Sequence, residues 1–225
     1  MKTKVFLSLC LAACATMASA QFESKSSYSI YETEYGWQGL RVSYKPIVMD
    51  VKGAEDLDMN GFSIDYVKSF RIGGYTPLFL EMGAGIQTAS YLNEDEEGYD
   101  GISISVEEKL TVASINVPFN LAYQCILSDQ LTLTPYVGLN VKGHLLGEYS
   151  VTAKALGETE KETLDLFDED EMYGEPFKRF IVGWQIGATF TYNRVSLGVS
   201  YGSDLTEISD DVKFATTAIT LGVNF

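Results

Sequence analysis

Beyond residue 36, bulky apolar side chains alternate with small or polar ones along most of the chain. The C-terminus shows this most clearly: from Thr217 to Phe225 every second residue is apolar or β-branched, and Ala, Thr, Gly and Asn lie between them. Successive residues of a strand face opposite sides, so each segment has one bulky apolar face and one small polar face. The segments with this pattern are 37–50, 61–72, 77–91, 103–126, 131–150, 180–192, 195–202 and 216–225.

The connections between these segments are alternately long and short. Tight turns are predicted at Gly73–Thr76, Ser128–Gln130 and Asn193–Arg194, and longer acidic links at 51–60, 92–102, 151–176 and 205–213. When neighbouring antiparallel strands close into a barrel, all the short turns fall at one rim and all the long links at the other, as in outer-membrane barrels. We therefore predict an all-β fold over residues 37–225, an eight-stranded antiparallel up-and-down transmembrane β-barrel in an outer membrane.

The small polar face fits the lumen of such a barrel, and the bulky face fits lipid. Gly, Ser, Thr, Asn and Gln dominate the polar face of the last strands, and an eight-stranded lumen is narrow. Closure also leaves no strand edge with unpaired N–H and C=O groups in hydrocarbon. The alternative is a soluble exported β protein that hides the bulky face inside. Candidate residues for aromatic girdles are Trp37, Trp184, Tyr123, Tyr136, Tyr192 and Tyr201.

The N-terminus has the composition of a secretory signal. Met1–Lys4 is basic, residues 5–15 are apolar, and Ala18–Ala20 forms a small-residue cleavage site before Gln21. We expect residues 1–20 to be a cleaved signal peptide and residues 21–36 to be a polar lead. An alternative remains, because the sequence Leu-Ala-Ala-Cys that ends at Cys14 fits a lipobox.

Acidic residues dominate the charge and concentrate in the predicted long links. The formal net charge is −15 at pH 7, which argues against nucleic-acid binding. Of the 31 Asp and Glu residues, 21 lie in the four long links when Asp204, at the edge of the last link, is counted, with Asp168 and Asp170 in the densest run. Crowded carboxylates attract divalent cations, so calcium is a candidate ligand there, and plain solvation of the links is the alternative.

A second calcium candidate lies at the start of the second segment. Asp56, Asp58 and Asn60, followed by Gly61, match the opening of a calcium-binding loop. The twelfth position of that motif is Val67, where a bidentate Glu is needed, and no flanking helices are predicted. Asn60 and Gly61 equally predict a hairpin turn between two alternating segments. We expect no cofactor apart from calcium at these two candidate sites.

Charged residues also fall on the predicted lumen face. Ionised groups facing a dry interior need partners, because unpaired burial costs several kcal/mol. We expect Arg41 or Lys45 to pair with Asp65 or Glu81 in a network that fills the lumen. The alternative is the lining of a narrow ion pathway. The full set is Arg41, Lys45, Asp65, Arg71, Glu81, Lys142 and His144.

Catalytic chemistry has little support in the sequence. His144 is the single histidine, so no multi-histidine metal site exists. A Ser/His/acid arrangement needs an activated serine near His144, and Ser150 is close in sequence but has no nucleophile motif around it. We therefore expect no enzymatic activity.

Five segments carry a family resemblance: 77–85 (PLFLEMGAG), 115–121 (INVPFNL), 134–139 (TPYVGL), 196–202 (SLGVSYG) and 219–225 (ITLGVNF). Together they resemble the PorT-like outer membrane protein beta-barrel domain family of Bacteroidota. The resemblance implies an eight-stranded outer-membrane barrel, and one branch of that family is tied to protein secretion. The C-terminal pattern is similar to the signal read by the barrel-assembly machinery, and its residues are Ile219, Leu221, Val223 and Phe225.

These patterns predict a non-enzymatic outer-membrane barrel with acidic extracellular loops that acts in surface interaction or envelope structure. The alternatives are a narrow passive channel and an accessory component of an envelope or secretion machine. The expected partners are outer-membrane lipid, the barrel-assembly machinery during biogenesis, and a surface or envelope protein.

Overall fold

The computed structural model describes residues 36–53, 56–72, 76–99, 102–155, 158–168, 176–209 and 211–225. The predicted signal peptide, the lipobox and the lead up to residue 35 lie outside these residues and stay predictions. No helix in the described part of the chain is long and apolar enough to cross a membrane.

The described residues form ten β-strands. Each strand follows the alternation of the sequence, because a period of two gives a strand one buried and one exposed face. The strands are β1 (Gln38–Val51), β2 (Leu57–Arg71), β3 (Leu78–Tyr99), β4 (Ile102–Tyr123), β5 (Cys125–Ser128), β6 (Leu131–Ala155), β7 (Glu158–Asp165), β8 (Phe180–Tyr192), β9 (Val195–Asp204) and β10 (Val212–Asn224).

Eight of these described strands form a closed antiparallel ring. Its order is β1, β2, β3, β4, β6, β8, β9 and β10, and β10 pairs back with β1. The short strand β5 continues the path of β4 along β6, and β7 pairs with the far end of β6. The ring strands correspond to the eight segments predicted from alternation, so the predicted eight-stranded up-and-down barrel is confirmed.

The outer surface of the ring is apolar. Leu40, Val42, Ile64 and Leu221 are each at least 50% exposed. Apolar side chains are more favourable in hydrocarbon than in water, and a closed ring leaves no strand edge with unpaired backbone groups. This surface therefore faces lipid. The bulky residues point outward as predicted, and the soluble alternative is wrong. The ring is an integral β-barrel of the outer-membrane type.

Two residues expected at the aromatic girdle face the lumen instead: Trp37, whose indole N–H donates to the lumen carboxylate of Glu81, and Tyr136. Tyr136 lines the lumen from β6 and packs against Gly187 of β8. A Cβ atom at Gly187 would lie 2.6 Å from the Tyr136 ring, so glycine leaves the room that this ring needs. By contrast, Trp184 and Tyr201 lie on the outer face, with ring centroids 5.9 Å apart.

The turn predicted at Asn60 and Gly61 is wrong. Both residues lie within β2, where they pair with Pro46 and Lys45 of β1. The chain reverses earlier, through Lys52 and Gly53, and Gly53 has a φ of 89°. A side chain at Gly53 would be strained at this φ, which explains why glycine occupies the turn.

Two of the predicted long links are largely strand. β3 and β4 continue as a paired hairpin through most of 92–102, and β6 and β7 pair within 151–176. β4 also pairs with β6 up to Ala155. We call the resulting four-stranded unit the protruding sheet, and it comprises residues 91–99 of β3, 102–111 of β4, 148–155 of β6 and 158–165 of β7.

Candidate functional site

The lumen is polar in the half nearest the short turns. A cavity of about 80 Å³ lies there, lined in part by Tyr136 and Gln185. A volume of this size holds only a few water molecules. Among the described residues, three cationic side chains line the lumen and match three anionic ones, and these are Arg41, Lys45, Lys142, Asp65, Glu81 and Asp204.

The closest ion pair in this lumen joins Lys142 to Asp204. The Lys142 Nζ lies 2.6 Å from the Asp204 Oδ1, and the two side chains are 6% and 1% exposed. The second oxygen of Asp204 accepts a hydrogen bond from the backbone N–H of Phe214 at 3.3 Å. Both charges are therefore matched inside the barrel. Sequence analysis assigned Asp204 to the acidic links, but the structure places it at the last position of β9, with its side chain in the lumen.

Arg41 lies opposite Asp65 in the register of β1 and β2, as expected, but the predicted ion pair of Arg41 or Lys45 with Asp65 or Glu81 does not form. Among the described residues, no ion pair within 4.0 Å joins them. Arg41 donates a hydrogen bond to the Asn224 side chain at 2.7 Å instead. Lys45 donates to Gln87 at 2.9 Å.

Neutral donors hold both lumen carboxylates. Asp65 accepts hydrogen bonds from Ser63 at 2.7 Å and from Asn116 at 3.2 Å. Glu81 accepts one from the Trp37 indole at 2.6 Å and one from Asn120 at 3.1 Å. Each of these four oxygens thus has a neutral donor, and the cations of the lumen lie beyond ion-pair distance from Asp65 and Glu81.

The remaining two residues of the predicted interior set have different surroundings. Arg71 lies at the rim, where its Nε donates to the Thr76 carbonyl at 3.3 Å. His144 is buried and shares a hydrogen bond with Ser114 at 2.8 Å. Its other nitrogen, Nε2, has no partner among the described residues, so no carboxylate completes a Ser/His/acid arrangement there. Ser150, the serine considered from sequence, lies across from Lys109 in the protruding sheet.

The other half of the lumen is filled by an apolar plug. Inward-facing residues of the strands there are apolar, and links beyond the ring contribute Leu166, Phe177 and Ile208. Ile181 and Ile208 are fully buried. The plug closes the lumen between the polar cavity and the rim with the long links. Its strand members are Ile47, Met49, Met59, Ala89, Leu110, Val112, Ile181, Val212 and Phe214.

The calcium motif does not form a loop. Asp58 and Asn60 lie in β2, and the Asn60 side chain accepts a hydrogen bond from the Tyr44 hydroxyl at 2.6 Å. Asp56 precedes the strand, Asp168 follows the turn after β7, and Asp170 lies outside the described residues. Where the structure describes the chain, no group of three or more His, Cys, Asp or Glu residues could hold a metal ion. Calcium at the acidic links stays a prediction.

Comparison with known proteins finds similarity in solved structures. No family model matches the chain, and no curated protein does. The attachment invasion locus protein Ail of Yersinia pestis is 16% identical with a TM-score of 0.42, covering 85% of this chain and 99% of Ail. Neisserial surface protein A is 11% identical with a TM-score of 0.36, covering 84% of this chain and 97% of that protein. The outer membrane enzyme PagL is 10% identical with a TM-score of 0.37, covering 80% and 98%.

These similarities are low, and the barrel assignment rests on the strand pairing and side-chain placement of this chain. The resemblance to the PorT-like family, and with it the secretion branch, stays a prediction.

Proposed function

We propose that this protein is a non-enzymatic, non-conducting outer-membrane barrel that acts in interactions at the cell surface through its protruding sheet. The main support for this proposal is the length of three strands. β3 and β4 each have 22 residues and β6 has 25, whereas a tilted strand crosses a membrane with about 9–11 residues. The excess lies at the rim with the long links, which faces the outside in outer-membrane barrels.

The side chains of the protruding sheet support its placement in water. The apolar belt reaches Leu92 and Leu146, both exposed. Beyond that level the corresponding outward positions hold charged residues, among them Glu94, Glu107 and Lys154. Charged side chains are expensive in hydrocarbon and favourable in water, so the sheet begins where the belt ends.

The plug argues against the channel alternative. An ion crossing the barrel would have to displace Ile181 and Ile208, which are fully buried. Packed apolar side chains of this kind leave no hydrated path, and the cation–anion balance of the polar half serves to fill the lumen. We expect purified protein in planar bilayers to show no steady conductance, and steady ohmic steps would contradict this.

Proximity labelling in the native membrane tests the interaction role. A trimmed variant lacks residues 92–99 and 102–109, which pair with each other in register, and a short turn rejoins the strands. The ring pairings of β3 and β4 below this level are kept, so the barrel is expected to fold and to show normal heat-modifiable mobility on gels. We expect the surface proteins labelled by the wild type to be lost in the trimmed variant. An unchanged set of labelled proteins would contradict the proposal.

Assembly is expected to depend on the C-terminal residue. The Phe225 side chain is 61% exposed on the lipid side, and its N–H donates to the Gln38 carbonyl at 3.0 Å. Its deletion therefore removes little packing from the folded barrel. We expect membrane levels in cells to fall severalfold, while refolding of the purified variant in detergent stays close to wild type. Equal loss in both assays would mean that Phe225 acts through stability and not through the assembly machinery.

A further inference from the structure

The strand register sorts the charges of the protruding sheet onto two faces. Leu110 of β4 belongs to the plug and therefore faces the lumen. Every second residue from Leu110 along β4 faces the same side, beyond the rim of the barrel. We call this surface the lumen-side face. On β4 it carries Glu108 and Val106, and on β7 the paired positions place Glu162 and Glu160 on the same face.

Two rows across the sheet show the arrangement. In the lower row, Asn93, Glu108, Val151 and Glu162 lie side by side. In the upper row, the order is Asp95, Val106, Ala153 and Glu160. Val106, Val151 and Ala153 are half-buried, whereas Asp95, Glu160 and Glu162 are exposed. Val106, Val151 and Ala153 thus form a small apolar centre, with Asp95 and Glu108 on its β3–β4 side and Glu160 and Glu162 on β7.

The opposite face has a different charge. Lys109, Lys154 and Lys161 alternate onto it, together with Glu94 and Glu107. In these two rows of described residues the lumen-side face therefore holds four carboxylates and no cation, while the basic side chains lie behind the sheet. No ion pair of the described residues involves the carboxylates of the lumen-side face.

The dimensions of this face match a helix. In the upper row Asp95 and Glu160 lie three strand spacings apart, about 14 Å, and in the lower row Glu108 and Glu162 lie two spacings apart, about 10 Å. An α-helix with its side chains is about 10–12 Å wide, so a helix lying over the apolar centre would have carboxylates along both of its sides. Its apolar stripe would rest on the valines, and lysine or arginine residues beside the stripe would reach the carboxylates on either side.

We propose that the lumen-side face of the protruding sheet docks a cationic amphipathic helix supplied by a protein or peptide partner. This inference rests on the proposed function, because it requires the sheet to lie in water outside the membrane. Its chemistry is separate from that of the lipid-facing belt, which has no comparable run of carboxylates, and from that of the sealed lumen.

Binding of a designed peptide tests the inference. The probe is a synthetic helix of Lys and Leu in amphipathic order, and the control peptide has the same composition in scrambled order. Titration uses the full barrel in nanodiscs of zwitterionic lipid, and empty nanodiscs give the contribution of the lipid. We expect the amphipathic peptide to bind the barrel and the scrambled peptide to bind at least tenfold more weakly. Equal binding of both peptides would overturn the proposal.

A matched pair of variants separates the lumen-side face from overall charge. Glu160→Gln with Glu162→Gln changes the lumen-side face, and Glu94→Gln with Glu107→Gln makes the same change in net charge behind the sheet. We expect about tenfold weaker peptide binding for the first pair and less than a twofold change for the second. Equal losses would show non-specific attraction and overturn the proposal.

Two further outcomes are decisive. In the first, calcium alone gives heat on titration, the Glu160→Gln, Glu162→Gln variant abolishes that heat, and the peptide does not bind. This result would show that the lumen-side face is a cation site and would overturn the docking proposal. Failure of the peptide to bind, while surface proteins are still labelled through the protruding sheet, would overturn this inference and leave the proposed function intact.

Discussion

Replacing Lys142 with methionine lowers the free energy of unfolding of the barrel by about 3–5 kcal/mol, the usual cost of leaving a buried charge without its partner. The cost arises because the Asp204 carboxylate loses its ionic partner at a site where its side chain is 1% exposed. The Phe214 N–H supports only one of its two oxygens. Urea unfolding in lipid vesicles, followed by tryptophan fluorescence, measures the change.

An exposed ion pair provides the matched control. Lys52 and Asp211 are 2.9 Å apart, but their side chains are 76% and 55% exposed. Water and salt screen such a pair, so Lys52→Met is expected to leave the unfolding curve unchanged.

A double variant shows whether the charge or the packing matters. Asn at position 204 can still accept the Phe214 N–H, so Lys142→Met combined with Asp204→Asn removes both charges and keeps this hydrogen bond. We expect the double variant to recover most of the loss. Equal instability of the single and double variants would assign the effect to packing around Lys142 and would contradict the role of the ion pair.

Truncating Ile208 to alanine is expected to lower the free energy of unfolding by about 2–5 kcal/mol, as for other buried isoleucines. Ile208 lies in the link between β9 and β10, yet it is fully buried in the plug. Its removal leaves a cavity among side chains from several strands, which the ring cannot close by moving one of them. The same urea unfolding measurement applies.

Ile219→Ala is the matched control on the lipid side. Ile219 lies on β10 and is 51% exposed on the outer surface. Lipid chains can fill the space that its side chain leaves, so the variant loses only the transfer free energy of the removed methyl and methylene groups. The Ile208 variant is therefore expected to be less stable than the Ile219 variant by about 1–3 kcal/mol, which is the cavity contribution. A larger loss at Ile219 would contradict the plug as a packed core.

Alternation predicted the ring well because it is a local property. The β10 positions Leu221 and Val223 face lipid in the structure as their spacing indicated. The signal was weaker where both faces of a strand are apolar. Ile47, Val48 and Met49 form such a run in β1, and two of these three residues belong to the plug. This loss of alternation was a sign of the plug in the sequence.

The sequence by itself determined which segments form the ring, which side of each ring strand meets lipid and which rim carries the long links. These properties follow from a period of two, which neighbouring residues set among themselves. The tertiary structure alone decided which distant residues form ion pairs and share a face. Lys142 and Asp204 are 62 positions apart, and only the closed ring brings them together. The protruding sheet likewise depends on pairing between β4 and β6, because register between distant strands sets which residues share a face.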